Sequence, residues 1–170
     1  GEVDAGIDTL ALESWQGLMA TYTVTNLNNS GTGSLRQAII DANANGGADT
    51  IAFSVFGTIN LSSALPQITS QVTLNATNAG TPGIVLNGGG TVATGLELTA
   101  GASGSTVRGF VVQNFSSFGI RVVDASDVTL AGNYVGTDAA GNAAAANPIG
   151  IDLWNTARAV VGGTSPADRN

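Results

Sequence analysis

The chain contains no cysteine and no histidine in its 170 residues. The first absence excludes disulfides and thiolate metal sites, and the second removes the commonest general base and metal ligand. Charge is also scarce: Asp, Glu, Lys and Arg together make up 10 % of the residues, against roughly 25 % in an ordinary soluble domain. The five basic residues are scattered and face twelve acidic ones, for a net charge of −7. Such a chain has no cationic surface for a phosphate backbone, so no nucleic-acid partner is expected. No apolar run approaches the roughly 18 residues of a membrane span. Gly1 to Ala20 lacks the basic start and unbroken apolar stretch of a secretion signal.

What remains is 43 % apolar, drawn mainly from Ala, Val, Ile and Leu in short runs, with 5 % aromatics and 24 glycines. Short aliphatic runs broken by Gly and Asn suit many short strands joined by tight turns. With so little charge, the surface must be clothed in Ser, Thr, Asn and Gly. The length is that of one ordinary domain.

Three segments differ in character. Residues 1–20 form an acidic lead-in, with Glu2, Asp4, Asp8 and Glu13 amid Leu10, Leu12, Trp15 and Leu18, and the pattern is compatible with a short helix or an added strand. Residues 21–49 read as a strand, a turn and a helix. Thr21 to Asn26 alternates Thr with larger side chains, and Asn28 to Gly33 turns the chain. Ser34-Leu35-Arg36-Gln37 then fits a capping box, Ser34 accepting from the Gln37 N–H while Gln37 reaches back to the Ser34 N–H. Leu35, Ala38, Ile39 and Ala42 make one apolar face, and Gly46-Gly47 stops the helix.

Residues 50–170 repeat. Gly95-Leu96-Glu97-Leu98, Gly119-Ile120-Arg121-Val122 and Gly150-Ile151-Asp152-Leu153 share one pattern, at steps of 24 and 31 residues. A second marker, Val107-Arg108-Gly109, Leu130-Ala131-Gly132 and Val161-Gly162-Gly163, steps by 23 and 31. Two markers in step across an insertion predict a solenoid, with the extra residues extruded as a loop at Gly136 to Asn142. The expected fold is all-β: a right-handed parallel β-helix with one N-terminal capping α-helix. A leucine-rich repeat is excluded by its missing frame, and a β-sandwich has no reason to keep both markers aligned.

Gly33-Ser34-Leu35-Arg36-Gln37-Ala38-Ile39, preceded by Val24-Thr25-Asn26 and followed by Asp41-Ala42-Asn43, closely resembles the Cys-Ser-Leu-Arg-Glu-Ala-Ile segment of bacterial β-helix surface proteins, in the pectin-lyase-like superfamily. Gly132 to Asp138 and Val161 to Thr164 look like that family's coil repeats. Here Gly33 replaces the Cys and Gln37 the Glu. The resemblance implies a β-helix at the bacterial cell surface or in the extracellular space, of structural or adhesin type, with polysaccharide-degrading relatives.

An uncovered terminal coil would expose apolar core and unpaired strand groups, so the helix, with Ser34, Leu35, Gln37 and Ile39 as its structural residues, is expected to act as a lid. No second lid is visible. Gly162 to Asn170 reads as a turn into a further coil, so the solenoid is expected to continue beyond Asn170; in a chain that stops there, the open end would stack on another molecule. The leading expectation is a non-catalytic structural or adhesion module that assembles through this end into filaments. The alternative is a carbohydrate-binding or polysaccharide-degrading β-helix, for which a cell-surface polysaccharide is the expected partner.

For that alternative the candidate ligand residues are Asp124, Asp127, Asp152 and Trp154, with Glu97, Arg108, Arg121 and Arg158 as further charged candidates. Glu97, Arg121 and Asp152 fall on one outward column, where a charge-paired ladder explains them. No pair of acids has the facing arrangement of a glycosidase, so no catalytic residue is assigned. Asp138 and Asn142 are the candidates for a calcium ion, although both residue types also form turns, and no other cofactor is expected. Trp154, with Tyr134 and Phe118, is the candidate sugar platform, or else packs under Ala143 to Pro148. Thr73, Thr106 and Thr129 stack outward, as in flat ice-binding arrays, but Val160 takes the next place.

Overall fold

The structure, a computed structural model, describes residues 17–170. Most of the acidic lead-in therefore lies outside the described residues. In chain order the elements are β1 (Thr21–Val24), α1 (Leu35–Asn45), β2 (Asp49–Phe53), β3 (Gly57–Asn60), β4 (Val72–Asn75), β5 (Thr77–Asn78), β6 (Thr81–Pro82), β7 (Ile84–Asn87) and β8 (Thr94–Leu98). They continue as β9 (Thr106–Arg108), β10 (Phe110–Gln113), β11 (Phe118–Val123), β12 (Thr129–Ala131), β13 (Tyr134–Val135), β14 (Ile149–Trp154) and β15 (Val160–Val161).

These strands wind into a parallel β-solenoid of about five turns. A first sheet runs β1-β2-β4-β9-β12-β15, a second β3-β7-β10-β13 and a third β8-β11-β14. Every pair within these three sheets is parallel; the small β5-β6 hairpin is antiparallel. From β2 onward, and apart from the β5-β6 hairpin, consecutive strands thus fall in different sheets, and each pairs with its counterpart one coil away.

Stacking along the axis makes the core. In the first sheet Ile51, Leu74, Val107 and Leu130 lie one above another, and all four are fully buried. Ile59, Leu86 and Val112 do the same in the second sheet, and Leu98 and Val122 in the third, with Ile68 bridged to Leu98. Each rung advances about 4.8 Å, so an aliphatic chain sits in van der Waals reach of the one below.

The two sequence markers have physical causes. A Cβ at Gly95 would lie 2.5 Å from the Gly119 carbonyl oxygen, so the third sheet turns in with backbone against backbone and only glycine fits. Gly109 and Gly132 hold the corner between the first two sheets at φ of +80° and +64°, in the left-handed region. In the last coil the left-handed residue is Gly162, one place earlier.

Two coils are enlarged. The coil from Thr129 to Val160 carries the expected loop, closed by a Thr137–Ala144 antiparallel bridge. The coil from Thr73 to Thr106 carries the β5-β6 hairpin at its first corner, which hides the period over that stretch of sequence.

The helix begins and ends as expected. Ser34 is the N-cap and its Oγ accepts from the Gln37 N–H at 3.2 Å, while Gly46 closes the C-terminus in a left-handed conformation. Leu35, Ala38, Ile39 and Ala42 are buried against the first coil. The reciprocal half of the capping box is absent. The Ser34 N–H already donates to the Gly31 carbonyl at 3.1 Å, so Gln37 turns away and its Nε2 donates to Asp41 at 2.8 Å. The helix is tied to β1 and β2 through Asp49, whose Oδ1 accepts from the Ala20 N–H and from Asn45 Nδ2, both at 2.8 Å.

The other end has no lid among the described residues. In the last coil the inner columns finish on Ile151, which is half-buried, and on Leu153 and Val161, which are 40 % and 48 % exposed. Every residue beneath them in those columns, from Ile51, Leu98 and Leu96 onward, is dry.

Candidate functional site

The third sheet carries the expected charged column. Glu97, Arg121 and Asp152 pair directly on β8, β11 and β14. Arg121 Nε donates to Asp152 Oδ2 at 3.1 Å, its Nη1 lies 3.9 Å from Glu97 Oε1, and its guanidinium rests 4.8 Å from the Phe118 ring centroid. Gln67 Nε2 extends the ladder by donating to Glu97 at 3.0 Å. One guanidinium thus serves both carboxylates of the column, and Phe118 is engaged by Arg121.

Asp124 and Asp127 do not join Asp152. Both sit in the turn after β11 with φ near +60°, stacked beneath the matching turn of the last coil. Asn155 Nδ2 donates to Asp124 at 2.7 Å, and Arg158 makes two bonds of 2.6 Å to the Asp127 carboxylate. The Arg158 bonds hold the Asp127 carboxyl below the usual carboxylate range. The three acids are thus used one by one, each on its neighbour a coil away. Among the described residues no group of three or more acidic side chains is placed to hold a metal ion.

Asp138 closes the extruded loop. Its Oδ1 accepts from the Asn142 N–H at 3.0 Å and the Ala143 N–H at 3.2 Å, and its own N–H donates to the Ala143 carbonyl. These backbone bonds hold its carboxyl below the usual value. Because they favour the ionised form, the closure is complete above about pH 4 and is lost as pH falls through the depressed value. Amide resonances of Asn142 and Ala143 should therefore titrate together, with a midpoint below that of an ordinary aspartate. A midpoint at or above 4 would contradict this role.

Trp154 ends β14 and is 65 % exposed, so Ala143 to Pro148 does not cover it. It is a neighbour of Val123 in register, not of Tyr134, which lies in the second sheet. Tyr134 instead lines a cleft of about 410 Å³ with Pro82, Thr137, Gly141, Arg169 and Asn170. Of the candidate ligand residues only Tyr134 borders it; Asp124, Asp127, Asp152, Trp154 and Phe118 do not.

The Thr column is longer than the sequence suggests: Thr21 and Thr50 precede Thr73, Thr106 and Thr129 on the outward face of the first sheet. Two residues further along each strand the places are held by Thr23, Ala52, Asn75, Arg108 and Ala131, and Arg108 is paired with Asp168. No second Thr column flanks the first, so the face lacks the breadth of a flat hydroxyl array.

Asparagines do work that sequence reading missed. Asn133, fully buried, accepts from the Phe110 N–H at 3.1 Å and donates to the Val107 carbonyl at 3.0 Å. Asn170 bridges the Leu130 carbonyl and Asn133 N–H in the same way, and Asn147 the Val112 carbonyl and Phe115 N–H. In each case the amide spans a carbonyl and the N–H three residues on, one coil below, where the corner interrupts the ladder. A side-chain amide has the donor and acceptor of a peptide unit, so it substitutes for the missing rung. The one sequence signal was an Asn directly after a corner glycine, at Gly132-Asn133. A separate ladder runs outside, Asn114 Nδ2 donating to Asn87 and Asn87 Nδ2 to Asn60.

The polar groups of the described residues thus mostly hold coils together. This arrangement defines the chain as a parallel β-solenoid protein. No protein-family model matches it, and no curated protein does.

Proposed function

We propose that this protein is a non-catalytic structural or adhesion module of the bacterial cell surface or extracellular space, a stiff rod of coils tied to one another. The observation that carries this reading is the pairing of Glu97, Asp124, Asp127 and Asp152 with side chains in adjacent coils, which commits the candidate acids to holding the stack together. The extracellular setting rests on the Ser34 to Ile39 segment and its resemblance to surface β-helices.

Incubation with acidic and neutral polysaccharides tests the proposal. The expected result is no release of reducing ends or of unsaturated uronate over the buffer control. Release of either, abolished in Asp152→Asn with an unchanged circular dichroism spectrum, overturns it. The exposed Trp154 ring supports a second reading, a carbohydrate-binding surface. Retention on a polysaccharide column, lost in Trp154→Ala, would favour that reading instead.

A further inference from the structure

We infer that Asn75 is an N-glycosylation acceptor, singled out by a turn that sets its amide in a reactive arrangement, with a nucleotide-activated hexose as the sugar donor. The inference goes beyond the structural reading and does not depend on it.

An asparagine two residues before Ser or Thr, with no proline between, is the sequence that N-glycosyltransferases read. It occurs at Asn28-Asn29-Ser30, Asn60-Leu61-Ser62, Asn75-Ala76-Thr77 and Asn114-Phe115-Ser116. A chain rich in Asn, Ser and Thr produces such triplets by composition alone, so what separates the four is geometry.

At Asn75 that geometry is specific. Strand β4 ends there in an Asx turn: Asn75 Oδ1 accepts from the Thr77 N–H at 3.2 Å and from the Thr77 hydroxyl at 2.7 Å. The turn is fixed by Ala76, which is fully buried; its N–H donates to the Arg108 carbonyl at 2.8 Å, and its carbonyl accepts from the Gly83 N–H at 2.9 Å. Asn75 itself is exposed on the outward face of the first sheet, and its Nδ2 donates to no group among the described residues. Its neighbours in that column leave room, since Ala52 is small and Arg108 turns to Asp168.

The other triplets are arranged differently. Asn114 Nδ2 is committed to Asn87 at 3.1 Å, and the Ser116 hydroxyl donates to the Val92 carbonyl at 3.3 Å. Asn60 Oδ1 is taken by Asn87 Nδ2 at 2.8 Å, and the Ser62 N–H goes to Asn29 at 3.0 Å. At Asn28 the Ser30 hydroxyl does not bond the Asn28 amide.

An amide nitrogen is a poor nucleophile because its lone pair is delocalised onto the oxygen. Loss of an Nδ2 proton places negative charge on Oδ1, where Thr77 already supplies two donors, and hydrogen bonds to a charged oxygen are the strong ones. A base of the transferase takes that proton, and Nδ2 attacks the anomeric carbon of the donor. The bond from nitrogen to the anomeric carbon forms, the bond from that carbon to the phosphate oxygen breaks, and the nucleoside diphosphate leaves with the bonding pair. The attached hexose stands beside the β5-β6 hairpin and adds hydration to a surface with little charge of its own.

Incubation of the folded chain with UDP-glucose and a soluble N-glucosyltransferase that reads Asn-x-Ser/Thr, followed by peptide mapping by mass spectrometry, tests the inference. Asn75 should gain one hexose at an initial rate at least about tenfold above that of Asn28, Asn60 or Asn114, the equivalent of one hydrogen bond to a charged group. That product should vanish in Asn75→Gln. Four short synthetic peptides, one for each triplet, carry the sequence without the fold and should react at similar rates. Failure of Asn75 to react in the folded chain, under conditions that modify its peptide, would overturn the inference, and so would another triplet matching it in the folded chain. An Asn75 lead that persists undiminished among the peptides would overturn the role of the turn, since local sequence would then explain the preference. Polysaccharide degradation by the chain, which overturns the structural reading, would leave the Asn75 result unchanged.

Discussion

Asn133→Ala should lower the unfolding free energy by about 2–4 kcal/mol, the cost of leaving a buried donor and a buried acceptor without partners. The side chain is fully buried and its amide completes two interrupted backbone positions, the Val107 carbonyl and the Phe110 N–H. It also donates to Asn170 Oδ1 at 3.1 Å, so the corner of the last coil is tied to the one beneath. No water replaces these bonds easily in the packed interior of a coil. Asn133→Asp is a sharper probe. It keeps the acceptor toward Phe110 but sets a second oxygen against the Val107 carbonyl, so it should be no more stable than the alanine variant despite its similar size. Asn147→Ala, at a partly exposed corner, should cost less than Asn133→Ala. Guanidinium denaturation followed by circular dichroism measures all three, and a loss under 1 kcal/mol for Asn133→Ala would show that the amide is not a structural rung.

Ile39→Ala should cost about 2–5 kcal/mol, the range for truncating a fully buried aliphatic side chain whose cavity cannot collapse. Ile39 is 1 % exposed at the centre of the lid, in one cluster with Leu35, Ile51 and Ile59. It is the layer that the first coil's inner side chains would otherwise find in a preceding coil. The adjacent Ile40 is largely exposed on the same helix, and Ile40→Ala should change stability by no more than about 0.5 kcal/mol when measured at low protein concentration. Equal losses for the two variants would mean that α1 lies on the solenoid without sealing it. In a stack whose coils contact only their neighbours, loss of the lid should also appear first as fraying of β1 and β2, detectable by hydrogen exchange before global unfolding.

The repeat was readable because each marker answers to a local constraint. Gly95 and Gly119 permit a backbone approach that no side chain survives, and Gly109 and Gly132 turn a corner in a left-handed conformation, so both recur whenever the coil does. The helix was readable for a similar reason: Ser34, the apolar face from Leu35 to Ala42 and Gly46 are all satisfied within eleven residues or just beyond them. Thr50 to Leu86 shows the period less clearly in sequence, because the β5-β6 hairpin at the corner of the coil from Thr73 to Thr106 displaces the following strand without disturbing the register. The Gln37 half of the capping box failed because a tight turn at Gly31 had already taken the Ser34 N–H, a competition that spacing does not reveal.

The candidate site was less legible. The Glu97, Arg121 and Asp152 column followed from the repeat alone, because residues at equal places in successive coils must be neighbours. The partners of Asp124 and Asp127 did not follow. Asn155 and Arg158 reach them only because both turns adopt the left-handed conformation and stack, which depends on two coils at once. The exposure of Trp154 and the bridging role of Asn133 belong to the same category. Local sequence settled the lid, the coil period and the inward and outward alternation, since each is a matter of residues within a turn or a strand of one another. Long-range stacking settled which charges are paired, which amides replace backbone rungs and which apolar columns end in water, since those depend on what lies a coil above or below.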